Sequence, residues 1–318
     1  MRLNKLKLSD KETFDKYLNL KKHELSVYSF PNIYIWRKFF DIRWVVIADN
    51  LCIFFEDEIG CFLYLPPLGR FRNPQVARDV FKILDGLNKN TEFSHLENIE
   101  EKDLQFYKDA GFECSFKAYD YLCRRADLAG LKGNKFKSKR ASCNYFTKHY
   151  DFNFELLSAK DRTGCLKLYN LWTKQRRSYS QDKIYQGLLS DSSVSLKEAF
   201  ANYSALGFKG GRVKVNKELK GFTFGFALNP ETFCILFEIT DLTIKGLAQF
   251  IFCAFTRELK NYKFINIMDD SGLENLKKVK LSYHPARLIP AYVVRRKQMV
   301  NGDSDFFNSK GQQLFSVK

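Results

Sequence analysis

Glu238 lies at a position in this sequence where a carboxylate is expected to have either a cationic partner or a chemical function. It follows the apolar run 233–237, which the pattern places in a buried strand. A carboxylate near the end of such a strand is costly to bury unless it is paired or functional. Glu238 is therefore a candidate catalytic base. The equally weighted alternative is an ion pair with a cation such as Arg140.

Tyr283 and His284 are the candidates for moving protons. They precede Pro285 and follow a basic segment that contains Lys280, a candidate donor-binding residue. Histidine changes its protonation state near neutral pH, and a tyrosine hydroxyl can protonate a leaving group. The alternative is a rigid turn fixed by Pro285, and for His284 this alternative is slightly favoured.

Segment 243–248 partly matches the loop Gln/Arg-x-x-Gly-x-Gly/Ala that binds the pyrophosphate of coenzyme A. Gly246 occupies the first glycine position, Thr243 replaces the usual first residue, and Gln249 follows the loop. Backbone N–H groups at a helix N-terminus suit a phosphate ligand. A threonine that merely caps the helix is the favoured alternative.

Lys139, Arg140 and Asn144 form a further group of candidate donor-binding residues. Arg140 and Asn144 are four residues apart and therefore share one face of a helix. The alternatives are a solvated basic surface for the lysines and a domain-locking salt bridge for Arg140. Trp172 precedes several basic residues and could stack on a base or ribose, although a tryptophan in this setting is more often part of the core.

The elements that would position these residues follow the same order twice along the chain. In the first half the pattern predicts strands at 6–8, 43–48, 51–55, 60–65, 93–96, 112–116 and 119–123, with helices after Ser9 and at 74–87 and 102–110. In the second half it predicts strands at 154–157, 211–215, 221–228, 232–239, 264–268 and 292–295, with helices from 158 to about 176 and at 196–206, 244–259 and 273–279.

This repeated order is that of the N-acetyltransferase (GNAT) fold. The sequence therefore predicts an α/β (α+β) protein with two tandem GNAT-like acyltransferase domains joined by a basic helix. The predicted boundaries are 1–126 for the first domain, 127–150 for the linking helix, 151–298 for the second domain and 299–318 for a flexible polar tail.

The net charge of +16 favours a polyanionic partner such as tRNA, coenzyme phosphates or an anionic membrane surface. The alternative explanation is that the positive charge reflects a proteome that is lysine-rich in general. The eight cysteines form no CxxC pair and the four histidines lack metal-ligand spacing. We therefore expect reduced core cysteines and no metal. The absence of an apolar span or a signal segment predicts a cytoplasmic protein, which leaves room for peripheral contact with a membrane.

Several segments resemble a family of soluble, largely uncharacterised proteins related to the C-terminal domain of phosphatidylglycerol lysyltransferase. The resemblance covers most of the chain and is strongest from residue 119 onward. The segments that carry it are Asp120-Tyr121-Leu122, residues 127–133, residues 136–140 with Asn144, Gly221-Phe222-Thr223-Phe224-Gly225, residues 229–232 with Glu238, and, most specifically, residues 277–287.

The resemblance implies two GNAT-like domains, as in the Fem-type aminoacyl transferases. It implies transfer of an acyl or aminoacyl group from aminoacyl-tRNA or acyl-coenzyme A to an amine or hydroxyl acceptor, with no permanently bound cofactor. Family members commonly carry a polar Asn-x-Glu-type segment inside the central helix, where this chain has Phe252-Cys253-Ala254. That replacement favours the alternative of a non-catalytic protein that binds RNA or another polyanion, whereas Glu238 and residues 283–285 favour an enzyme.

Overall fold

The computed structural model describes residues 2–178 and 183–297, which form a mixed α/β protein. The chain divides into two compact units. The described part of the first unit comprises residues 2–119 and 289–297, and that of the second comprises 120–178 and 183–288. The tail predicted at 299–318 lies outside the described residues.

The helices and strands up to residue 124 largely follow the predicted order. They are β1 (Asn4–Lys5), α1 (Lys11–Leu18), α2 (Phe30–Ile35), β2 (Asp41–Ile47), β3 (Asn50–Glu56), β4 (Cys61–Leu63), α3 (Pro74–Leu87), β5 (Leu96–Glu100), α4 (Leu104–Asp109) and β6 (Phe112–Arg124). The sequence did not predict α2, a short buried helix whose first turn is capped by the Ser29 hydroxyl. The two strands predicted at 112–116 and 119–123 are one strand, since no turn-forming residue separates them.

The predicted site residues all lie within or between the remaining elements. These elements are α5 (Arg125–Gly130), α6 (Lys137–His149), β7 (Phe152–Leu156), α7 (Arg162–Arg177), α8 (Lys183–Ala201), β8 (Lys209–Val215), β9 (Glu218–Asn229), β10 (Thr232–Thr240), α9 (Leu247–Glu258), β11 (Phe264–Asn266), α10 (Glu274–Leu281) and β12 (Arg287–Arg296). Within the described residues, no helix is long and apolar enough to cross a membrane.

Each unit has its own run of hydrogen-bonded strands. In the first unit the order is β1-β2-β3-β4-β5-β12, with β4 and β5 parallel. In the second unit it is β6-β11-β10-β9-β8-β7, with β10 and β11 parallel and the other neighbours antiparallel. One face of the second sheet packs its apolar side chains, among them Phe233 and Ile235, against Phe252 and Phe255 of α9.

The segment 127–150 differs from the single bridging helix that its pattern predicted. Two helices, α5 and α6, are separated by a turn in which Leu131 has φ 48° and Gly133 has φ 84°. A residue in the left-handed region ends a helix, so the basic segment cannot form one continuous helix. Both helices pack against α9, and the segment is therefore part of the second unit.

The boundaries of the units also differ from the predicted domains, because both ends of the second unit lie inside strands. Strand β6 begins in the first unit and ends in the second. The last strand, which was expected to complete the second domain, pairs with β5 in the first unit, where Ala291 lies opposite Glu100. Chain order alone cannot reveal such a return, because strand pairing is set by contacts far apart in sequence.

Candidate functional site

A β-bulge in β10 decides which way Glu238 points. The register between β10 and β9 shifts between Ile235 and Phe237. Phe237 therefore packs on Phe224, with ring centroids 5.2 Å apart, on the face covered by Phe200 of α8. Ile235 packs on the opposite face, against α9. Because neighbouring strand residues alternate between faces, Glu238 is turned to the α9 side, and a bulge commonly re-aims a side chain in this way.

Lys139 and Tyr283 lie close enough to Glu238 for its negative charge to change their pKa values. The Nζ atom of Lys139 is 4.2 Å from the centroid of the Tyr283 ring. Burial lowers the pKa of Lys139, and the carboxylate of Glu238 partly offsets that effect. Burial, reinforced by the same carboxylate, raises the pKa of Tyr283 well above its usual value. Tyr283 is therefore a protonated phenol at neutral pH, beside a cation and a carboxylate.

Phe252 forms a wall of this cluster. Its ring centroid lies 4.6 Å from that of Tyr283, and its side chain is buried. The apolar segment of α9 that departs from the family pattern thus packs directly on a candidate catalytic residue. Sequence reasoning had treated this departure only as a sign of altered or lost activity.

A second tyrosine extends the polar part of the site. The Tyr121 hydroxyl donates a hydrogen bond to the carboxylate of Asp270, and burial together with this acceptor raises the pKa of Tyr121. The Lys280 side chain is 1% exposed, and its ammonium lies 5.5 Å from the centroid of the Tyr121 ring. Tyr121 and Asp270 were not predicted as site residues. Tyr121 lies in a segment of family resemblance, 120–122, and this was the available signal.

Arg140 does not take the role predicted for it at Glu238. Its guanidinium donates hydrogen bonds to the carbonyl oxygens of Leu131 and Gly133, the latter at 2.6 Å. These bonds close the turn between α5 and α6, so Arg140 acts on local structure. Asn144, on the same helix face, is exposed to solvent.

His284 also has a local role. Its Nε2 lies 3.0 Å from the carbonyl oxygen of Lys135, and its ring packs edge-on against Phe136. The backbone of His284 has φ 50°, a strained value for a residue other than glycine. These contacts tie the turn after α10 to the turn before α6, and they match the rigid-turn alternative for this residue.

The segment that resembles a pyrophosphate loop is closely covered by α6. Gly246 precedes the first residue of α9 and has φ 83°. A Cβ atom at this position would lie 2.2 Å from the carbonyl oxygen of Ser142 in α6. The sequence favoured a helix-capping role for Thr243, but Thr243 does not cap α9. Its backbone N–H and its hydroxyl both donate hydrogen bonds to Asp241. Gln249 is half-buried on the first turn of the helix.

Trp172 is a core residue. Its side chain is 5% exposed and its ring lies 5.5 Å from that of Tyr169 on the same helix. The guanidinium of Arg176 lies 5.3 Å from the indole centroid. The structure thus favours the core alternative for this tryptophan over base stacking.

A surface pocket in the first unit lies among residues that sequence reasoning did not select. Its lining includes Tyr17, Lys21, His23, Arg72 and Asp103. None of the predicted site residues lines it. The cluster around Glu238 brings together a carboxylate, a cation and a phenol that the sequence had selected, so we take that cluster as the candidate site.

Solved structures share this fold. A conserved protein of unknown function from Bacteroides thetaiotaomicron is 27% identical, with a TM-score of 0.84 over 93% of this chain and 100% of that one. L-PGS from Bacillus licheniformis is 15% identical, with a TM-score of 0.65 over 92% and 93% of the two chains. FemX is 9% identical, with a TM-score of 0.60 over 92% and 97%. None of the curated proteins matches the chain.

These similarities define the class of fold as mixed α/β, of the kind found in FemX and in tandem GNAT proteins. The family described as phosphatidylglycerol lysyltransferase, C-terminal, matches residues 19–295. The chain therefore belongs to that family, as the resemblance in its sequence had implied.

Proposed function

We propose that this protein transfers an aminoacyl group from aminoacyl-tRNA to an amine or hydroxyl acceptor, at the cluster around Glu238 in the second unit. The observation that carries the proposal is the bulge in β10, which turns a carboxylate toward Lys139 and the protonated Tyr283. A carboxylate, an ammonium and a phenol together supply a base, a cation and an acid. The membership of the family and the fold shared with FemX support the same class of reaction.

Glu238 and Tyr283 divide the proton transfers between them, and Lys139 stabilises the negative charge that forms. Glu238 removes a proton from the acceptor as its nitrogen or oxygen attacks the ester carbonyl of the donor. The negative charge that forms on the carbonyl oxygen is stabilised by the Lys139 ammonium. When the ester C–O bond breaks, Tyr283 donates its proton to the departing ribose oxygen. The high pKa of Tyr283 suits this role, because the phenol stays protonated until the leaving group needs the proton.

The packing at Gly246 favours aminoacyl-tRNA over acyl-coenzyme A as the donor. In the pyrophosphate loop that segment 243–248 resembles, phosphate approaches backbone N–H groups at the start of the helix. Here the Ser142 carbonyl of α6 lies against Gly246, and the Leu247 N–H already bonds to the carbonyl of Ile244. A carbonyl oxygen is electronegative, so it repels phosphate as well as occupying space. A tRNA donor also agrees with the predicted cytoplasmic location.

The alternative of a non-catalytic polyanion-binding protein also has an observation in its favour. Lys132, Lys137 and Lys148 are exposed on or beside α6, and they would contact phosphates whether or not transfer occurs. Binding alone therefore does not distinguish the two functions. The distinguishing property is dependence on Glu238, which a phosphate-binding surface does not need.

Glu238→Gln tests the proposal, since the amide keeps the shape of the side chain but cannot take up a proton. The assay incubates the full chain with a mixture of charged tRNAs and candidate amine or hydroxyl acceptors, and it measures acceptor-dependent deacylation. Loss of the base is expected to lower the rate about 100-fold or more, while tRNA affinity stays within about twofold. Glu258→Gln, at an exposed position of α9, is the matched control.

The outcome separates the two functions. Transfer by the wild type that disappears in Glu238→Gln, with the Glu258→Gln rate unchanged, supports the enzyme. Salt-sensitive tRNA binding with no deacylation by the wild type for any acceptor supports the non-catalytic alternative. Transfer that survives in Glu238→Gln removes this carboxylate from the mechanism.

A further inference from the structure

Two cysteine side chains meet between α6 and α9. Cys253 of α9 is 3% exposed, and its Sγ lies 3.4 Å from the carbonyl oxygen of Ala129. Cys143 of α6 packs into the same small cluster as Cys253, with Leu131 and Phe136. The Cys253 thiol thus has the Ala129 carbonyl as its hydrogen-bond acceptor. The two cysteine side chains are therefore neighbours on two helices that pack against each other.

The surroundings favour a reactive sulfur at Cys253. The neighbouring Cys143 thiol, aided by the Arg257 guanidinium, lowers the pKa of Cys253 although burial acts in the opposite direction. Arg257 is held in place because its Nε donates to the same Ala129 carbonyl at 2.9 Å. By contrast, burial raises the pKa of Cys114, the other half-buried thiol among the described residues.

We propose that Cys143 and Cys253 form a redox-active dithiol that hydrogen peroxide converts into a disulfide bond. Four observations carry the proposal. The two cysteine side chains pack in one small cluster, they come from different helices, the Arg257 guanidinium shares the Ala129 carbonyl with Cys253, and Cys143 is half-buried and so leaves a path for a small oxidant. Two thiols in one cluster supply both the sulfur that is oxidised and the sulfur that resolves it.

The chemistry balances with peroxide as the oxidant. The Cys253 thiolate attacks one peroxide oxygen, the O–O bond breaks, and hydroxide leaves and takes up a proton to become water. The product is a sulfenic acid on Cys253. The Cys143 sulfur then attacks Cys253 Sγ, the S–O bond breaks, and the second hydroxide takes the Cys143 proton. Two thiols are oxidised to one disulfide while peroxide is reduced to two molecules of water.

The position of the pair links it to the candidate site. Cys143 follows Lys139 by one helical turn and therefore shares its face of α6. Cys253 follows Phe252, whose ring packs on Tyr283. A disulfide would replace an adjustable contact by a covalent one between the helices that carry these two site residues. An effect on transfer would rest on the proposed function, but formation of the bond would not.

The test uses the reduced full chain, treated with hydrogen peroxide and followed by intact mass and by mapping of cross-linked peptides. The wild type is expected to lose two hydrogen atoms, to yield a peptide pair joined through Cys143 and Cys253, and to recover with dithiothreitol. Cys143→Ser should trap a sulfenic acid on Cys253 that reacts with dimedone. Cys253→Ser should slow thiol oxidation at least about fivefold, since a thiol of ordinary pKa is only a few per cent thiolate at neutral pH.

Cys114→Ser is the matched control and should form the same disulfide at the wild-type rate. Since folding of each serine variant is checked by its circular dichroism spectrum, a misfolded variant cannot be mistaken for an unreactive one. If peroxide oxidises Cys114 first, or leaves the peptides of Cys143 and Cys253 reduced in the folded wild type, the proposal is overturned.

Discussion

Gly246→Ala is the sharpest test of the packing that covers the start of α9. Two separate costs are expected. A residue other than glycine at φ 83° costs about 1–2 kcal/mol. The added methyl would also lie 2.2 Å from the Ser142 carbonyl oxygen and 3.2 Å from Phe146 Cβ, so α6 must move away from α9. Forced repacking of this kind costs about 1–3 kcal/mol, which gives a total of about 3 kcal/mol.

Two other glycines separate these costs. Gly272 has φ 68° and open space where a Cβ would lie, so Gly272→Ala carries only the backbone cost of about 1–2 kcal/mol. Gly187 lies in α8 with open space and no positive φ, so Gly187→Ala is expected to be neutral or to stabilise by up to about 1 kcal/mol. All three glycines belong to the second unit.

Thermal unfolding followed by circular dichroism measures the differences. For a unit of this size, about 3 kcal/mol corresponds to a fall in Tm of about 6–12 °C, against about 2–8 °C for Gly272→Ala. Urea unfolding gives the free energies directly. If Gly246→Ala costs no more than Gly272→Ala, α6 does not press on Gly246, and the structural argument against a coenzyme A pyrophosphate at this loop fails.

Three further predictions concern a buried contact between a histidine and a glutamate, the proposed acid and the basic surface. Burial would raise the pKa of Glu100, but His23, whose Nδ1 lies 2.8 Å from the carboxylate, acts together with Lys102 and the Glu24 N–H to hold that pKa at about 2. A carboxyl group whose pKa is lowered by folding stabilises the fold at pH values above its unfolded pKa, and this stabilisation is lost as the pH falls through its folded pKa. His23→Leu should therefore lower the free energy of unfolding by about 2 kcal/mol at pH 6. The cost should shrink between about pH 4.5 and 2, as urea unfolding across pH can show. Tyr283→Phe should lower transfer about 100-fold or more with tRNA affinity unchanged, because only the proton donor is removed. The double variant Lys132→Ala with Lys137→Ala should reduce the slope of log affinity for tRNA against log salt by about 1–2, measured by filter binding.

Each of these predictions has a result that contradicts it. A cost for His23→Leu that stays constant down to pH 2 would show that the histidine acts by packing and not through the carboxylate. Wild-type transfer by Tyr283→Phe would leave the phenol without a role in proton donation. An unchanged salt slope in the lysine double variant would place tRNA on another surface.

The sequence by itself determined the local elements and the kind of protein. The apolar stripe predicted at 244–259 appears as α9, the run 232–239 appears as β10, and the helix predicted at 74–87 is α3 to the residue. These agree because a periodic pattern of apolar side chains selects helix or strand wherever one face must be buried. The family resemblance was likewise carried by short segments whose residues can be read directly, and the match to the family over residues 19–295 confirms it.

The tertiary structure decided which residues meet. The residues 233–237 do not by themselves predict the bulge that turns Glu238 toward α9, because a bulge depends on the register with a neighbouring strand. Arg140 was predicted beside Glu238, but the break at Leu131 and Gly133 gives it two carbonyls to bind, and its neighbour Lys139 lies beside Tyr283 instead. The packing of Cys143 and Cys253 in one cluster, on helices far apart in sequence, had no local signal at all. Such pairings depend on how helices pack after they form, and a sequence pattern records only which side of each helix is buried.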